Sequence, residues 1–121
     1  MSTSSAARPR SSVSTHILDT SVGRPARGVP VSLSARDGDT EWTALGTSAT
    51  DSDGRCRDLP EPPEGTTHVR LAFDTEAYLS AHRDSGAFFP EVTVTFAVVP
   101  GEHYHVPLLL NPFGYSVYRG S

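Results

Sequence analysis

This chain of 121 residues contains no lysine and a single cysteine, Cys56. Without lysine, no side-chain amine is available for Schiff-base chemistry, and every basic side chain is an arginine, whose guanidinium suits planar anions. One cysteine excludes an internal disulfide, which argues against a disulfide-rich secreted module. Long apolar runs are also missing, since no stretch approaches the roughly 20 residues of a membrane-spanning helix.

The charge balance and the N-terminal segment exclude further classes of protein. The net charge of −4 provides no basic surface for nucleic acid, and we expect neither nucleic-acid nor membrane partners. Residues 1–12 are rich in serine and contain no apolar segment, which is not the pattern of a secretory signal. We therefore predict a disordered tail at residues 1–12, one domain at residues 13–121, and a cytoplasmic location.

Beyond the tail, alternation of apolar and polar residues is the dominant pattern. Short alternating runs bounded by glycine, proline, aspartate and serine predict half-buried antiparallel strands. The predicted strands lie at 13–19, 29–36, 41–48, 55–58, 68–73 and 92–98, with two more joined by a turn within 103–117. Residues 75–84 instead contain good helix formers, with Asp74 or Thr75 as N-cap and Gly86 as a stop. One short helix among seven or eight strands predicts an all-β fold, a small β-sandwich.

Histidine side chains are the first candidates for chemistry. The five histidines are His16, His68, His82, His103 and His105. His16 faces away from the core if its neighbour Ile17 faces into it, and His103 and His105 share one face of a strand. We interpret His68 and His82 as surface or hydrogen-bonded structural residues. For His16 and His105, the pattern leaves a structural and a functional role equally open.

Several common kinds of site find little support in the sequence. A His-x-His pair with a third histidine could ligate zinc, but Cys56 is the only thiol and no acidic ligand stands at motif spacing. No Gly-x-Ser-x-Gly sequence marks a nucleophilic serine, and no glycine-rich phosphate loop is present. A lone cysteine is more often a small buried residue than a nucleophile. We therefore predict no metal and no cofactor.

Arginine and the C-terminal residues supply the other polar candidates. Arg55 follows a turn at residues 50–54 and begins a strand, with Arg57 on the same face. Pattern alone allows either a solvated arginine beside acidic neighbours or a bidentate donor for a planar anionic ligand. The last four residues, Tyr118-Arg119-Gly120-Ser121, follow a run that is typical of strands. We expect them to be ordered and to present an aromatic ring, a cation and a hydroxyl together.

Four segments of the chain resemble the transthyretin-like 5-hydroxyisourate hydrolase family of purine catabolism. They are Ser14-Thr-His-Ile-Leu-Asp-Thr-Ser-Val-Gly-Arg-Pro-Ala26, Thr50-Asp-Ser-Asp-Gly-Arg55, Phe88-Phe-Pro-Glu-Val92 and His105-Val-Pro-Leu-Leu-Leu-Asn-Pro-Phe-Gly-Tyr-Ser-Val-Tyr-Arg-Gly-Ser121. The resemblance extends over residues 14–121. Its most specific motif is the final Tyr-Arg-Gly-Ser, because the hormone carriers of the same fold lack it.

The resemblance implies a fold, an assembly and a reaction. The implied fold is a transthyretin-like β-sandwich of two four-stranded antiparallel sheets with one short helix. The implied assembly is a homotetramer whose central channel holds active sites built from more than one subunit. The family reaction is the metal-free hydrolysis of 5-hydroxyisourate, a small molecule, to 2-oxo-4-hydroxy-4-carboxy-5-ureidoimidazoline.

The resemblance also implies roles for individual residues. The family's catalytic residues fall on His16, Arg55, His105 and Ser121. The substrate-binding residues are His16, Arg55, Tyr118, Arg119, Gly120 and Ser121. One histidine would activate water while the other orients it, and the arginine would stabilise negative charge. Arg57 and His103 are not among the residues carried over, and we interpret His103 as structural.

Two other functions stay open at this point. A transthyretin-like carrier would bind a small aromatic ligand in the channel, but it would not need two histidines, an arginine and Tyr-Arg-Gly-Ser there. A purely structural β-sandwich module would keep its role after removal of residues 118–121. Both alternatives are distinguished from the hydrolase by an assay for substrate turnover.

Overall fold

The computed structural model describes residues 9–81 and 86–121. Over these residues the chain forms nine strands and one helix. They are β1 (Ser12–Asp19), β2 (Arg24–Pro25), β3 (Pro30–Arg36), β4 (Thr43–Ala49), β5 (Arg55–Cys56), β6 (His68–Asp74), α1 (Glu76–Ser80), β7 (Glu91–Ala97), β8 (His103–Asn111) and β9 (Gly114–Val117). The predicted all-β sandwich is confirmed, and the strand β2 was not predicted from the sequence.

One sheet contains four antiparallel strands in the order β4-β3-β6-β7. The alternation read from the sequence matches the burial along β3 and β6, where every second side chain is buried. The inward side chains Leu33, Leu71 and Phe73 are completely buried. The regular pattern follows because side chains in a strand point alternately to opposite faces of the sheet.

The other sheet differs from the prediction in strand number and in direction. Its main order is β2-β1-β8-β9, and β5 also pairs with β1, so the sheet has five strands rather than four. The two strands β1 and β8 run parallel, with Ser12 opposite His103 and Asp19 opposite Leu110. A fully antiparallel sheet was therefore the wrong prediction. The two strands are far apart in sequence, and alternation within a strand carries no information about its neighbour's direction.

The core lies between the two sheets. Buried apolar side chains from both sheets form one cluster, whose largest completely buried members are Phe73, Ile17, Leu33, Leu71, Leu108 and Leu110. The helix α1 covers one end of the core with Leu79, and the phenol of Tyr78 donates a 2.6 Å hydrogen bond to Asp19 of β1. Burial of the phenol, together with this hydrogen bond, raises the pKa of Tyr78 to about 12.

The ends of the predicted elements shift in two places. Strand β1 begins at Ser12, which the sequence prediction placed in the disordered tail. The helix α1 ends at Ser80, before the predicted stop at Gly86, and residues 82–85, including His82, lie outside the described residues. Thr75 is the N-cap, but its hydroxyl bonds to the carbonyl oxygen of Phe89 instead of capping the helix. No helix among the described residues is long and apolar enough to cross a membrane.

Candidate active site

His16 lies in the middle of β1 and faces away from the core. Its neighbour Ile17 is completely buried, whereas His16 is half-buried on the opposite side of the strand. The predicted orientation of His16 is therefore confirmed. Because β1 is flanked by β5 on one edge and β8 on the other, the side chains nearest to His16 come from those two strands.

A tight turn places Arg55 directly beside His16 across β5 and β1. Gly54 adopts a φ of 77°, and a Cβ atom there would lie 2.5 Å from the carbonyl oxygen of Ile17, so the turn requires glycine. The Asp51 carboxylate accepts hydrogen bonds from the backbone N–H groups of Asp53 at 2.8 Å and of Arg55 at 3.0 Å. These contacts, the one from Arg55 first, hold the pKa of Asp51 below its usual value.

His105 reaches the same face from the other edge of β1. It lies opposite Ser14 in the parallel β1–β8 register, and its ring centroid is 6.5 Å from that of His16. The two ring planes are inclined at 31°. Tyr104 and Val106 are buried on the core side of β8, which confirms the predicted alternation. We call the outward group of Ser14, His16, Arg55 and His105 the site face.

Two serine hydroxyls link the histidines of β8 into a chain of hydrogen bonds. Ser14 Oγ lies 2.8 Å from Nδ1 of His105 and 2.9 Å from Nε2 of His103. Ser12 Oγ lies 2.7 Å from Nδ1 of His103. The chain therefore runs from the half-buried ring of His105 through Ser14 to the exposed ring of His103 and on to Ser12.

The C-terminal segment packs against His105. The N–H of Gly120 donates to the carbonyl oxygen of His105 at 2.6 Å, and the N–H of His105 donates to the main-chain oxygen of Ser121 at 3.2 Å. A Cβ atom at Gly120 would lie only 2.8 Å from Cδ2 of His105, so the backbone touches the imidazole here. Ser121 is thereby held next to His105 within the chain.

Arg119 and Tyr118 are not brought to the site face within the chain. The guanidinium of Arg119 lies 4.4 Å above the ring of Tyr104 and pairs with Glu102 at 2.9 Å. Its Nε donates to the main-chain oxygen of Ser121 at 3.1 Å, so Arg119 holds the C-terminal segment. Tyr118 is exposed and lines a separate apolar cavity of about 260 Å³ between β7 and β9.

The charges around His105 favour its neutral form. Burial lowers the pKa of His105, and the positive charges of Arg55, His16 and His103 lower it further. The guanidinium of Arg55 forms no hydrogen bond and no ion pair with any described residue. The groove beside His105 and Arg55, which has a volume of about 460 Å³, therefore combines an available cation with a neutral base.

The remaining sequence candidates take structural positions. Cys56 is buried opposite Thr15, and burial raises the pKa of its thiol, in agreement with a structural cysteine. Arg57 pairs with Asp51 at 2.9 Å and with Asp53 at 3.2 Å on the surface. His68 lies on the other sheet and bonds to the Thr67 hydroxyl at 2.8 Å. Within residues 9–81 and 86–121, no three His, Cys, Asp or Glu side chains converge as metal ligands.

The sequence analysis missed Ser12, Ser14 and the contact of His103 with them. Alternation places Ser12 and Ser14 on the same side of β1 as His16, which was a usable signal. The parallel pairing with β8 was not available from the sequence, and only that pairing sets Ser14 beside His103 and His105.

Comparison with known proteins places this arrangement in a family. The model of the HIUase/Transthyretin family matches residues 13–120. A protein of Salmonella dublin named 5-hydroxyisourate hydrolase is 46% identical over 111 residues, covering 90% of this chain and 80% of that protein. The solved structure of Klebsiella pneumoniae 5-hydroxyisourate hydrolase has a TM-score of 0.74 and 37% identity, covering 90% of this chain and 98% of that one.

Two other solved structures show how widely the fold is used. Transthyretin from Sparus aurata has a TM-score of 0.76 and 32% identity, covering 88% of this chain and 94% of that one. A structure of (S)-allantoin synthase has a TM-score of 0.80 and 27% identity. The match covers 93% of this chain but only 44% of that one. Since the family model matches nearly all of the described residues, and the Salmonella relative is similar along most of its length, this chain belongs to the HIUase/Transthyretin family.

Proposed function

We propose that this chain hydrolyses 5-hydroxyisourate to 2-oxo-4-hydroxy-4-carboxy-5-ureidoimidazoline in urate catabolism. The observation that carries the proposal is the site face itself, where two imidazoles lie 6.5 Å apart beside a guanidinium that no described residue neutralises. The names of the Salmonella and Klebsiella relatives support the choice of substrate. A hormone-carrier fold alone would not explain this concentration of basic side chains.

The reaction opens a six-membered ring at an amide carbonyl and needs three things. Water needs a base, the carbonyl oxygen needs a stabiliser for its developing negative charge, and the departing nitrogen needs a proton. The lowered pKa of His105 keeps its imidazole neutral near neutral pH, as a base requires. No described residue occupies the guanidinium N–H groups of Arg55, which can therefore bind the planar substrate and its oxyanion. We assign His105 as the base and His16 as the residue that orients the water.

The C-terminal residues complete the proposed site. Ser121 is held beside His105 by a backbone hydrogen bond, which supports a role for its hydroxyl in the hydrogen-bond network around the reacting water. Gly120 lets the backbone approach the imidazole closely enough to fix its orientation. Arg119 supports the site by holding the main-chain oxygen of Ser121, and Tyr118 binds substrate from a neighbouring subunit.

We further propose that the chain forms a homotetramer whose channel encloses the site face. Large aromatic side chains at the edges of the sandwich are exposed in the single chain, including Phe88 at 64% and Tyr118 at 54%. Exposed apolar groups of this size mark surfaces that other proteins or subunits cover. In such an assembly a second copy would close the open groove beside Arg55 and supply Tyr118. We also propose that the chain acts in the cytoplasm.

The direct test adds the purified chain to urate and urate oxidase and follows the absorbance of 5-hydroxyisourate. We expect the lifetime of the intermediate to shorten in proportion to the concentration of the chain. An unchanged lifetime, with circular dichroism that shows a folded β protein, would overturn the proposal.

A carrier function is the second candidate, because Sparus aurata transthyretin shares the fold at a TM-score of 0.76. A carrier would bind a small aromatic ligand stoichiometrically and would leave the lifetime of 5-hydroxyisourate unchanged. Removal of residues 118–121 tests the hydrolase specifically, since neither a carrier nor a purely structural module would require Tyr-Arg-Gly-Ser.

A further inference from the structure

The hydrogen-bonded chain from His105 to Ser12 has no role in the mechanism described so far. Its members alternate between imidazole and hydroxyl, in the order His105, Ser14, His103 and Ser12, with successive distances of 2.8, 2.9 and 2.7 Å. His103 uses both ring nitrogens in these hydrogen bonds, and His105 uses only Nδ1. Nε2 of His105 therefore stays available. Groups of this kind both donate and accept, so the chain can point in either of two directions.

The direction in which the hydrogen bonds donate determines which ring nitrogen of His105 carries the proton. When Nδ1 of His105 donates to Ser14, the Ser14 hydroxyl donates to Nε2 of His103, and Nε2 of His105 carries a lone pair. When the chain is reversed, Ser14 donates to Nδ1 of His105, and Nε2 of His105 carries the proton. The first arrangement is that of a base and the second that of an acid, and both keep the imidazole neutral.

We propose that Ser14 and His103 form a proton relay that switches Nε2 of His105 between acceptor and donor, with Ser12 and solvent at its outer end. The relay rests on the proposed hydrolase function. Water gives its proton to Nε2 of His105 while Nδ1 of His105 passes a proton to Ser14. Ser14 passes its own proton to His103, which releases one to Ser12 and solvent.

Breakage of the ring C–N bond runs the same relay backward. Nε2 of His105 gives its proton to the departing nitrogen, and one proton returns from solvent through His103 and Ser14. The new carboxylic acid then ionises, since its pKa is about 4, and releases the single net proton of the turnover. Ser14 and His103 are therefore positioning residues that move protons without touching the substrate.

The charges at the site explain why a relay is useful. A simple base would become a positively charged imidazolium next to Arg55 and His16. Burial, and then the charges of Arg55, His16 and His103, already lower the pKa of His105. The relay instead passes the proton through the exposed ring of His103 to Ser12 and solvent, so that neither imidazole has to keep the charge. Arg57 and Glu61 are charged groups in the same groove as His103. The guanidinium of Arg119 lies 3.5 Å from the carbonyl oxygen of His103.

The first experiment is independent of turnover and uses ¹⁵N NMR of the histidine rings in the full chain. We expect the titration of His103 to shift the Nδ1 and Nε2 signals of His105 in the unsubstituted chain. Ser14→Ala should abolish this coupling, and Ser14→Thr, which keeps the hydroxyl, should restore it. Identical His105 signals in the unsubstituted chain and in Ser14→Ala at every pH would overturn the relay.

The second experiment measures turnover at low buffer concentration. We expect Ser14→Ala and His103→Gln to lower kcat by about tenfold without raising KM, a smaller loss than the ~100-fold or more expected for loss of the base itself. Added imidazole should restore kcat, because a small buffer can exchange protons with His105 directly. His68→Gln, which removes a hydroxyl-bonded histidine from the other sheet, is the matched control and should leave kcat unchanged.

The outcomes separate the relay from the proposed function. No turnover by the unsubstituted chain would refute the hydrolase and the catalytic use of the relay, while the NMR coupling would still decide whether the proton chain exists. Turnover by the unsubstituted chain with kcat within twofold in both relay variants, and no effect of imidazole, would overturn the relay and leave the hydrolase intact.

Discussion

The two sheets of the sandwich carry the same types of side chain on their outer surfaces but use them differently. The site face has two histidines and Arg55. The outward side of β3 and β6, which we call the packed face, has Arg36, His68 and Arg70. On the packed face the guanidinium carbons of Arg36 and Arg70 lie 4.7 and 4.1 Å from the ring centre of Trp42.

The difference lies in whether each polar group is engaged within the chain. On the packed face, Trp42 stacks with both guanidiniums, whose Nε atoms are buried without hydrogen-bond partners, and Thr67 bonds to His68. On the site face no described residue pairs with the Arg55 guanidinium. Stacking on an indole stabilises a cation in place, whereas an unpaired cation beside a neutral imidazole is available for a ligand. Whether a side chain has a partner within the chain is thus a better guide to function than its residue type.

The largest contrast is expected between the histidines of the two faces. His105→Asn should lower kcat/KM for 5-hydroxyisourate by about 100- to 10,000-fold, because an acid–base group typically contributes that much. His16→Asn, which removes the group that orients the water, should lower it by about 100-fold. His68→Asn should change kcat/KM by less than twofold. Initial rates with freshly generated substrate measure the effect, and size-exclusion chromatography controls for the assembly. Full activity of both site variants, with the assembly intact, would remove the distinction between the faces.

The next contrast concerns Arg55. Arg55→Met should lower kcat by about 100- to 1,000-fold, the loss seen when a transition-state hydrogen-bond donor is removed. The pH profile should also move. Because positive charge at Arg55 lowers the pKa of His105, its removal raises that pKa, and the acid-side loss of activity should begin at a higher pH than in the unsubstituted chain.

Arg57→Met is the matched control for Arg55→Met. Arg57 lies two residues along the chain and pairs with Asp51 and Asp53 on the surface, where ion pairs contribute little. We expect the kcat of Arg57→Met to stay within threefold of that of the unsubstituted chain. The acid side of its pH profile should not move. An equal loss of kcat in both variants would mean that the loop conformation, and not the unpaired guanidinium, matters for activity.

The sequence predicted the face of each histidine but not which strands lie side by side. Alternation correctly placed His16 and His105 outside the core, because the period of a strand fixes the face of each side chain. Alternation contains no information on pairing between distant strands, so the parallel register of β1 and β8 and the five-stranded sheet were not predicted.

The grouping of the site residues came from the family resemblance alone. The structure brings His16, Arg55, His105 and Ser121 together, but Arg119 stacks on Tyr104 and pairs with Glu102. A motif of four consecutive residues cannot distinguish a side chain that faces a site from one that anchors the backbone beside it. The roles assigned to these residues stay predictions until the variants are measured.

A smaller effect is expected where the backbone touches His105. In Gly120→Ala the new Cβ would lie 2.8 Å from Cδ2 of His105, so the ring or the C-terminal segment must shift by several tenths of an ångström. We expect kcat to fall by about tenfold, since small misplacements of a catalytic group are costly. Gly114→Ala is the control, because its Cβ would meet nothing closer than 3.5 Å. Equal kcat for the two variants would show that the close contact does not orient His105.

The smallest effect on activity is expected on the packed face, where a substitution should change stability instead of turnover. Arg70→Met removes the cation that stacks on Trp42, so it should lower the free energy of unfolding by about 0.5–2 kcal/mol, the range from an exposed to a desolvated cation–π contact. Its kcat/KM should stay within twofold. Arg55→Met should show the reverse, a large loss of kcat with an unchanged free energy of unfolding, because its guanidinium forms no hydrogen bond or ion pair with any described residue. Urea unfolding and initial rates on both variants measure this crossover, and a stability loss in Arg55→Met as large as that in Arg70→Met would show that Arg55 is engaged in the fold after all.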